Sequence, residues 1–137
     1  MRIFLDANIL FSASFPQSSL AGFLEQLTYH ADLLTNAYAK AEAKRNITAK
    51  LPAQLAQYHQ FSQSLEVVAT QLFDLGVELE EKDHPILCGA ISGRADFLLT
   101  GDKKDFGHLF GQSVRGVKIV TVRMLLAELV NRGIVSE

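Results

Sequence analysis

Asp6, Glu42, Asp83 and Asp102 are the residues of this chain with the clearest capacity for chemistry. Asp6 follows the apolar run Arg2 to Leu5, Asp102 follows the apolar run Phe97 to Thr100, Glu42 lies in an alanine-rich helical segment, and Asp83 stands just before Pro85 at the start of an apolar helix. Carboxylates placed just beyond the C-terminal ends of parallel strands face the crevice in which open α/β sheets bind ligands. Acids gathered there repel one another, and cations relieve the repulsion. Oxygen donors of this kind select hard divalent ions, Mg2+ or Mn2+, over softer metals. The chemistry they point to is cation-assisted hydrolysis, in which water rather than a protein side chain attacks.

Each acid also has an ordinary explanation. Asp6 suits a turn after a strand, and Asp83 suits the N-cap of the helix near Pro85. Glu42 has Arg45 three residues on as an ion-pair partner, and Asp102 and Asp105 lie in Thr100-Gly101-Asp102-Lys103-Lys104-Asp105-Phe106, where Gly and Asp serve a turn. The metal reading therefore rests on the four acids together. Around them, Asn8 and Ser12 are spaced to support the Asp6 carboxylate from a following helix, with an N-cap role for Asn8 as the alternative. Thr100 adds a hydroxyl at a strand end, and Asp105 is a further acid of the same turn. Arg45, Lys82, Arg94, Lys103 and Lys104 lie near the acids in sequence and are candidate phosphate contacts. The net charge is -2, but setting the four acids aside leaves the rest of the chain mildly basic.

Positioning those acids requires alternating strands and helices. Arg2 to Leu5, Asp32 to Thr35, Phe97 to Thr100 and Lys118 to Val120 read as short buried strands, and Val77 to Leu79 as a strand or an extended approach. Helices are expected from Ile9 to Pro16, through Leu20, Phe23, Leu24 and Leu27, from Asn36 to Lys44, through Leu55, Tyr58, Phe61 and Leu65, after Pro85, and from Val122 to near Gly133. Such alternation argues for a mostly parallel sheet with helices on both faces.

The 137 residues suit one domain, residues 1–137, and the composition, 48% hydrophobic and 20% charged, is that of an ordinary globular protein. A strand-like run from residue 2 leaves no room for a signal peptide, and no apolar stretch has membrane-spanning length, so a cytoplasmic location without membrane association is expected. The single cysteine, Cys88, reads as a small buried hydrophobe. The four histidines lack zinc-ligand spacing, and the glycines form no phosphate-binding loop.

Ile3-Phe4-Leu5-Asp6-Ala7-Asn8-Ile9-Leu10, Glu42 with Arg45, Lys82-Asp83, and the run from Arg94 to Phe106 together resemble the PIN-domain nucleases. The similarity is greatest to the small bacterial proteins that include VapC-type toxins. It implies a three-layer α/β fold with a central, mostly parallel five-stranded sheet, an acidic quartet of Asp6, Glu42, Asp83 and Asp102 with Asp105 as an auxiliary acid, and Mg2+- or Mn2+-dependent cleavage of RNA. It also implies a separately encoded antitoxin as partner and homodimerisation. Two other readings compete. One is a noncatalytic RNA-binding or protein-interaction module on the same fold. The other is a phosphoryl-accepting, receiver-like domain, for which the paired acid beside Asp6 is missing.

Overall fold

The computed structural model describes residues 1–135. Four strands carry the frame: β1 (Arg2–Leu5), β2 (Asp32–Thr35), β3 (Glu66–Val67) and β4 (Phe97–Leu99). They are followed by β5 (Ser113–Val114) and β6 (Val117–Val120). The sheet order is β3-β2-β1-β4-β6-β5. The first five of these are parallel, and β5 pairs antiparallel with β6 at the edge. Five parallel strands are thus present as expected, but the edge strand is Glu66–Val67 and not Val77 to Leu79, and one further two-residue strand, β5, is added. That strand exists because Arg115 and Gly116 both take positive φ, 48° and 89°, and close a tight hairpin.

Ile3, Phe4, Leu5, Leu98 and Leu99 have no exposed surface, as expected for central parallel strands covered on both faces. The helices are α1 (Ala7–Ala13), α2 (Ser19–Leu27), α3 (Ala37–Lys50), α4 (Leu55–Ser62), α5 (His84–Ser92), α6 (Lys103–Phe106) and α7 (Val122–Asn131). α3 begins where the Asn36 side chain accepts a hydrogen bond from the Ala39 amide at 2.9 Å, and ends before Pro52, six residues beyond the expected Lys44. Its buried positions Ala39, Ala43 and Ile47 recur every four residues, which fixes one face to the core and sends Glu42, Asn46 and Lys50 along an adjoining line.

Between β3 and a 3-10 turn at Glu81–Asp83 the chain runs without regular structure, and Val77 to Leu79 form no strand. Side chains from elsewhere hold this stretch instead. Arg115 donates to the Asp74 carbonyl at 2.9 Å, and the Ser92 hydroxyl lies between the amide and carbonyl of Gln71. Cys88 is buried, as its apolar surroundings predict. No helix among the described residues is long and apolar enough to cross a membrane.

In this sheet the chain leaves β1 toward β2 on one side and later reaches β4 on the other. The crevice beyond the C-terminal ends of β1 and β4 is therefore the topological switch point. Leu5 and Leu99 are in register, so Asp6 and Thr100 emerge side by side.

Candidate metal centre

Asp6 is the most tightly held acid of the group. One carboxylate oxygen, Oδ1, accepts from the Ala7 amide at 2.6 Å; the other, Oδ2, accepts from the Thr100 hydroxyl at 2.8 Å and from Asn8 Nδ2 at 3.2 Å. Thr100 Oγ1 in turn accepts from the Asp102 amide at 3.1 Å, and Asn8 Oδ1 accepts from the Gly101 amide at 2.8 Å. Asn8 and Thr100 thereby bind the start of α1 to the loop after β4. The N-cap of α1 is Asp6, which removes the alternative role considered for Asn8. The Ser12 hydroxyl makes no hydrogen bond to an acid among the described residues, and the expected support from that position is not seen.

Burial pushes the Asp6 carboxyl up to about 6, and the charges of Glu42 and Asp102 add to the rise; the Thr100 and Ala7 donors oppose it. Asp6 is 2% exposed.

Asp83 lies at the end of a 3-10 turn, Glu81–Asp83, that leads into α5. Its φ and ψ of -97° and -11° are helical rather than extended, and its side chain makes no capping hydrogen bond. The capping explanation for Asp83 is therefore set aside. Although the residue is only 7% exposed, Oδ2 has no hydrogen-bond partner. Burial is the first cause of the rise of this carboxyl to about 7; the closeness and the charge of the Asp105 carboxylate contribute, and Lys82 opposes them.

Asp102 and Asp105 flank the short helix α6. Asp102 Oδ1 accepts from the Asp105 amide at 3.0 Å and so caps that helix, as its turn-forming sequence suggested. Asp105 is buried and accepts a 2.9 Å ion pair from Lys82, which holds its carboxyl below the ordinary range. Asp83, Asp102 and Asp105 each offer an oxygen lying within 4.8 Å of the other two, a grouping able to hold a metal ion. Asp105, expected as an auxiliary acid, belongs to this tight triple; Asp6 lies beside it.

Glu42 projects from α3 into a cavity of about 320 Å³ that it shares with Asn8, Phe11, Asn46, Lys50 and Asp102. Asn46 and Lys50 escaped the sequence reading, although their spacing of four and eight residues from Glu42 places them on the same helical line. Arg45 does not pair with Glu42 among the described residues; it is exposed and borders a separate cavity with Ala41, Lys44, Thr48 and Ala49. Arg94 follows the C-terminus of α5 before β4 begins, at the end of the sheet away from the acids. Lys104 borders a cavity of about 400 Å³ with Asp105, His108 and the segment from Glu78 to Glu81. Lys103 is exposed on α6.

No protein-family model matches the sequence, and no curated protein matches it. Solved structures do resemble the fold. A chain of VapBC2 from Rickettsia felis, in a crystal structure bound to a DNA fragment from their promoter, superposes with a TM-score of 0.68 at 18% identity, covering 88% of this chain and 98% of that one. A chain of VapBC-1 from nontypeable Haemophilus influenzae gives a TM-score of 0.58 at 17% identity, with the same coverage of 88% and 98%. The likeness shows the fold alone: this chain shares with those VapBC structures an α/β fold with a mostly parallel central sheet.

Proposed function

We propose that this chain is a metal-dependent endoribonuclease that hydrolyses RNA phosphodiester bonds, the toxin of a toxin–antitoxin pair. The observation that carries the reading is the unpartnered, buried Oδ2 of Asp83 within a triple of carboxylates. A buried carboxylate oxygen without a donor is costly, and a divalent cation is the partner that such a donor set fits. Asp83 and Asp102 would hold Mg2+ or Mn2+, with Asp6 beside them and Asp105 as a further oxygen donor. When bound, such an ion supplies charge neutralisation and Lewis acidity at the scissile phosphate.

The chain's own residues supply the rest. Thr100 and Asn8 keep the Asp6 carboxylate fixed by donating to it, so its charge stays directed at the crevice. Glu42 faces the adjoining cavity, where its carboxylate can orient water and accept a proton. Lys50 and Asn46 line the same cavity and offer an ammonium and an amide to a substrate phosphate. An antitoxin partner is supported by the VapBC identity of the structural neighbours.

Purified protein should cleave single-stranded RNA in Mg2+ or Mn2+, lose activity in EDTA, and lose it in the Asp83→Asn variant. RNA binding without cleavage under every metal condition would replace the enzyme by a noncatalytic RNA-binding module. Stable phosphorylation of an aspartate by a small phosphoryl donor would favour the receiver-like alternative.

A further inference from the structure

Lys82 is placed in the sequence where a phosphate contact would be convenient, yet its ammonium points at the acid group. Nζ lies 2.9 Å from Asp105 Oδ2, the lysine side chain being 65% exposed and the aspartate 7%. The acid is thus a fixed feature of the site, while the cation reaches it from solvent. Asp105 also belongs to the triple with Asp83 and Asp102, so the lysine charge sits at the edge of the group that would receive a metal.

We propose that Lys82 is a built-in competitor for the metal centre: its ammonium holds Asp105, and a divalent cation must release that ion pair before Asp105 can serve as a ligand. The inference concerns a positioning residue and rests on the proposed metal-dependent function. Two physical effects act in the same direction. The bound lysine withdraws one oxygen donor from the group, and while the ion pair holds it there its positive charge repels an incoming cation; freed from the pair, the exposed side chain carries that charge into solvent, where it is screened. Release is local, because Lys82 sits in the turn next to Asp83 and its exposed stem can rotate away without moving the backbone.

Lys104 provides an internal control. It borders the cavity beside Asp105 but forms no ion pair with an acid among the described residues. A competitor role therefore separates Lys82 from Lys104, whereas a general basic field does not.

The test is Mn2+ titration of the full chain by calorimetry, paired with thermal melts in EDTA and in Mn2+. Lys82→Gln should bind Mn2+ about ten-fold more tightly, on the order of what losing a like charge at the edge of a solvated site yields. It should also melt lower without metal and gain more on metal addition. Lys82→Arg, which keeps the charge and the reach, should bind like the wild type. Lys82→Gln combined with Asp105→Asn should bind no more tightly than Asp105→Asn alone, because the ion pair is then already absent. Equal or weaker binding by Lys82→Gln, an equal gain in Lys104→Gln, or a gain that persists in the Asp105→Asn background would overturn the proposal. If the wild type and every variant fail to bind Mn2+ and Mg2+, the metal reading itself falls; if all bind alike, only the role of Lys82 falls.

Discussion

Replacing Asp6 with asparagine should stabilise the metal-free protein at high pH while abolishing RNA cleavage. The folded-state carboxyl titrates at about 6 against an ordinary 3.8, chiefly because the residue is buried. A raised carboxyl binds its proton more tightly folded than unfolded, so its contribution to stability is fully present below the unfolded value and is lost as pH rises through the folded one. At pH 8 the loss amounts to about 3 kcal/mol relative to a neutral side chain. Asparagine has nearly the same shape but only one acceptor oxygen for the donors from Ala7, Thr100 and Asn8. Re-pairing them costs about 1–2 kcal/mol, which leaves a net gain of roughly 1–2 kcal/mol at pH 8. For a chain of this size that is roughly 3 to 8 °C in thermal midpoint. At pH 4 the wild-type carboxyl is itself protonated in the fold, so the advantage should shrink by about 2 kcal/mol and change sign. Melts of both proteins in EDTA across this range read the difference directly. Saturating Mn2+ should reverse the order at pH 8, since at a hundred times Kd binding adds about 2.7 kcal/mol to the protein that binds it. A difference that does not vary between pH 8 and pH 4, or a variant less stable than wild type at pH 8, would refute the electrostatic argument.

Further outcomes are expected from neighbouring positions. Thr100→Val removes the hydroxyl that donates to Asp6 and accepts from the Asp102 amide; Mn2+ affinity or cleavage should fall about 10- to 100-fold with the fold retained, as judged by circular dichroism. Asp102→Asn should impair cleavage more than Asp105→Asn, because the Asp105 charge is already offset by Lys82, and added Mg2+ should rescue only the latter in initial-rate titrations. Gly89→Ala would drive a methyl group into the Asn36 side chain and to 3.1 Å from the Phe4 ring, so urea unfolding should show a loss of about 1–3 kcal/mol.

The legible parts of the fold were those whose signal is local. Ile3 to Leu5 and Phe97 to Leu99 are continuous apolar runs because both faces of a central parallel strand are covered, and the same residues are buried in the structure. The β5–β6 hairpin was missed because its turn is Arg115-Gly116, without the Asn or Asp that usually announces positive φ ahead of a glycine. The strand expected at Val77 to Leu79 is missing for a different reason. His84 Nε2 lies 3.1 Å from the Leu79 carbonyl, and Asn36 donates to the Thr70 hydroxyl at 2.9 Å, so the path of this segment is set by side chains distant in sequence. Residues 77–79 carry the β-branched and apolar types of a strand but have no neighbouring strand with which to pair.

The site divides along the same line. Strand ends are local features, so Asp6, Thr100 and Asp102 could be placed near one another from the two apolar runs and the parallel order alone. Their roles could not, because a carboxylate's availability depends on how many donors already claim it. Asp6 spends its oxygens on Ala7, Thr100 and Asn8; Asp102 gives one to the Asp105 amide; Asp83 keeps one free. Lys82 shows the limit most clearly. In the sequence it is one more basic residue beside an acid, fit for a phosphate. Only the meeting of the turn at Glu81–Asp83 with α6 brings its ammonium to Asp105, and that meeting turns a candidate substrate contact into an occupant of the acid group. The positive charge beside the acid group is thus placed by tertiary packing and not by the motif that announces the site.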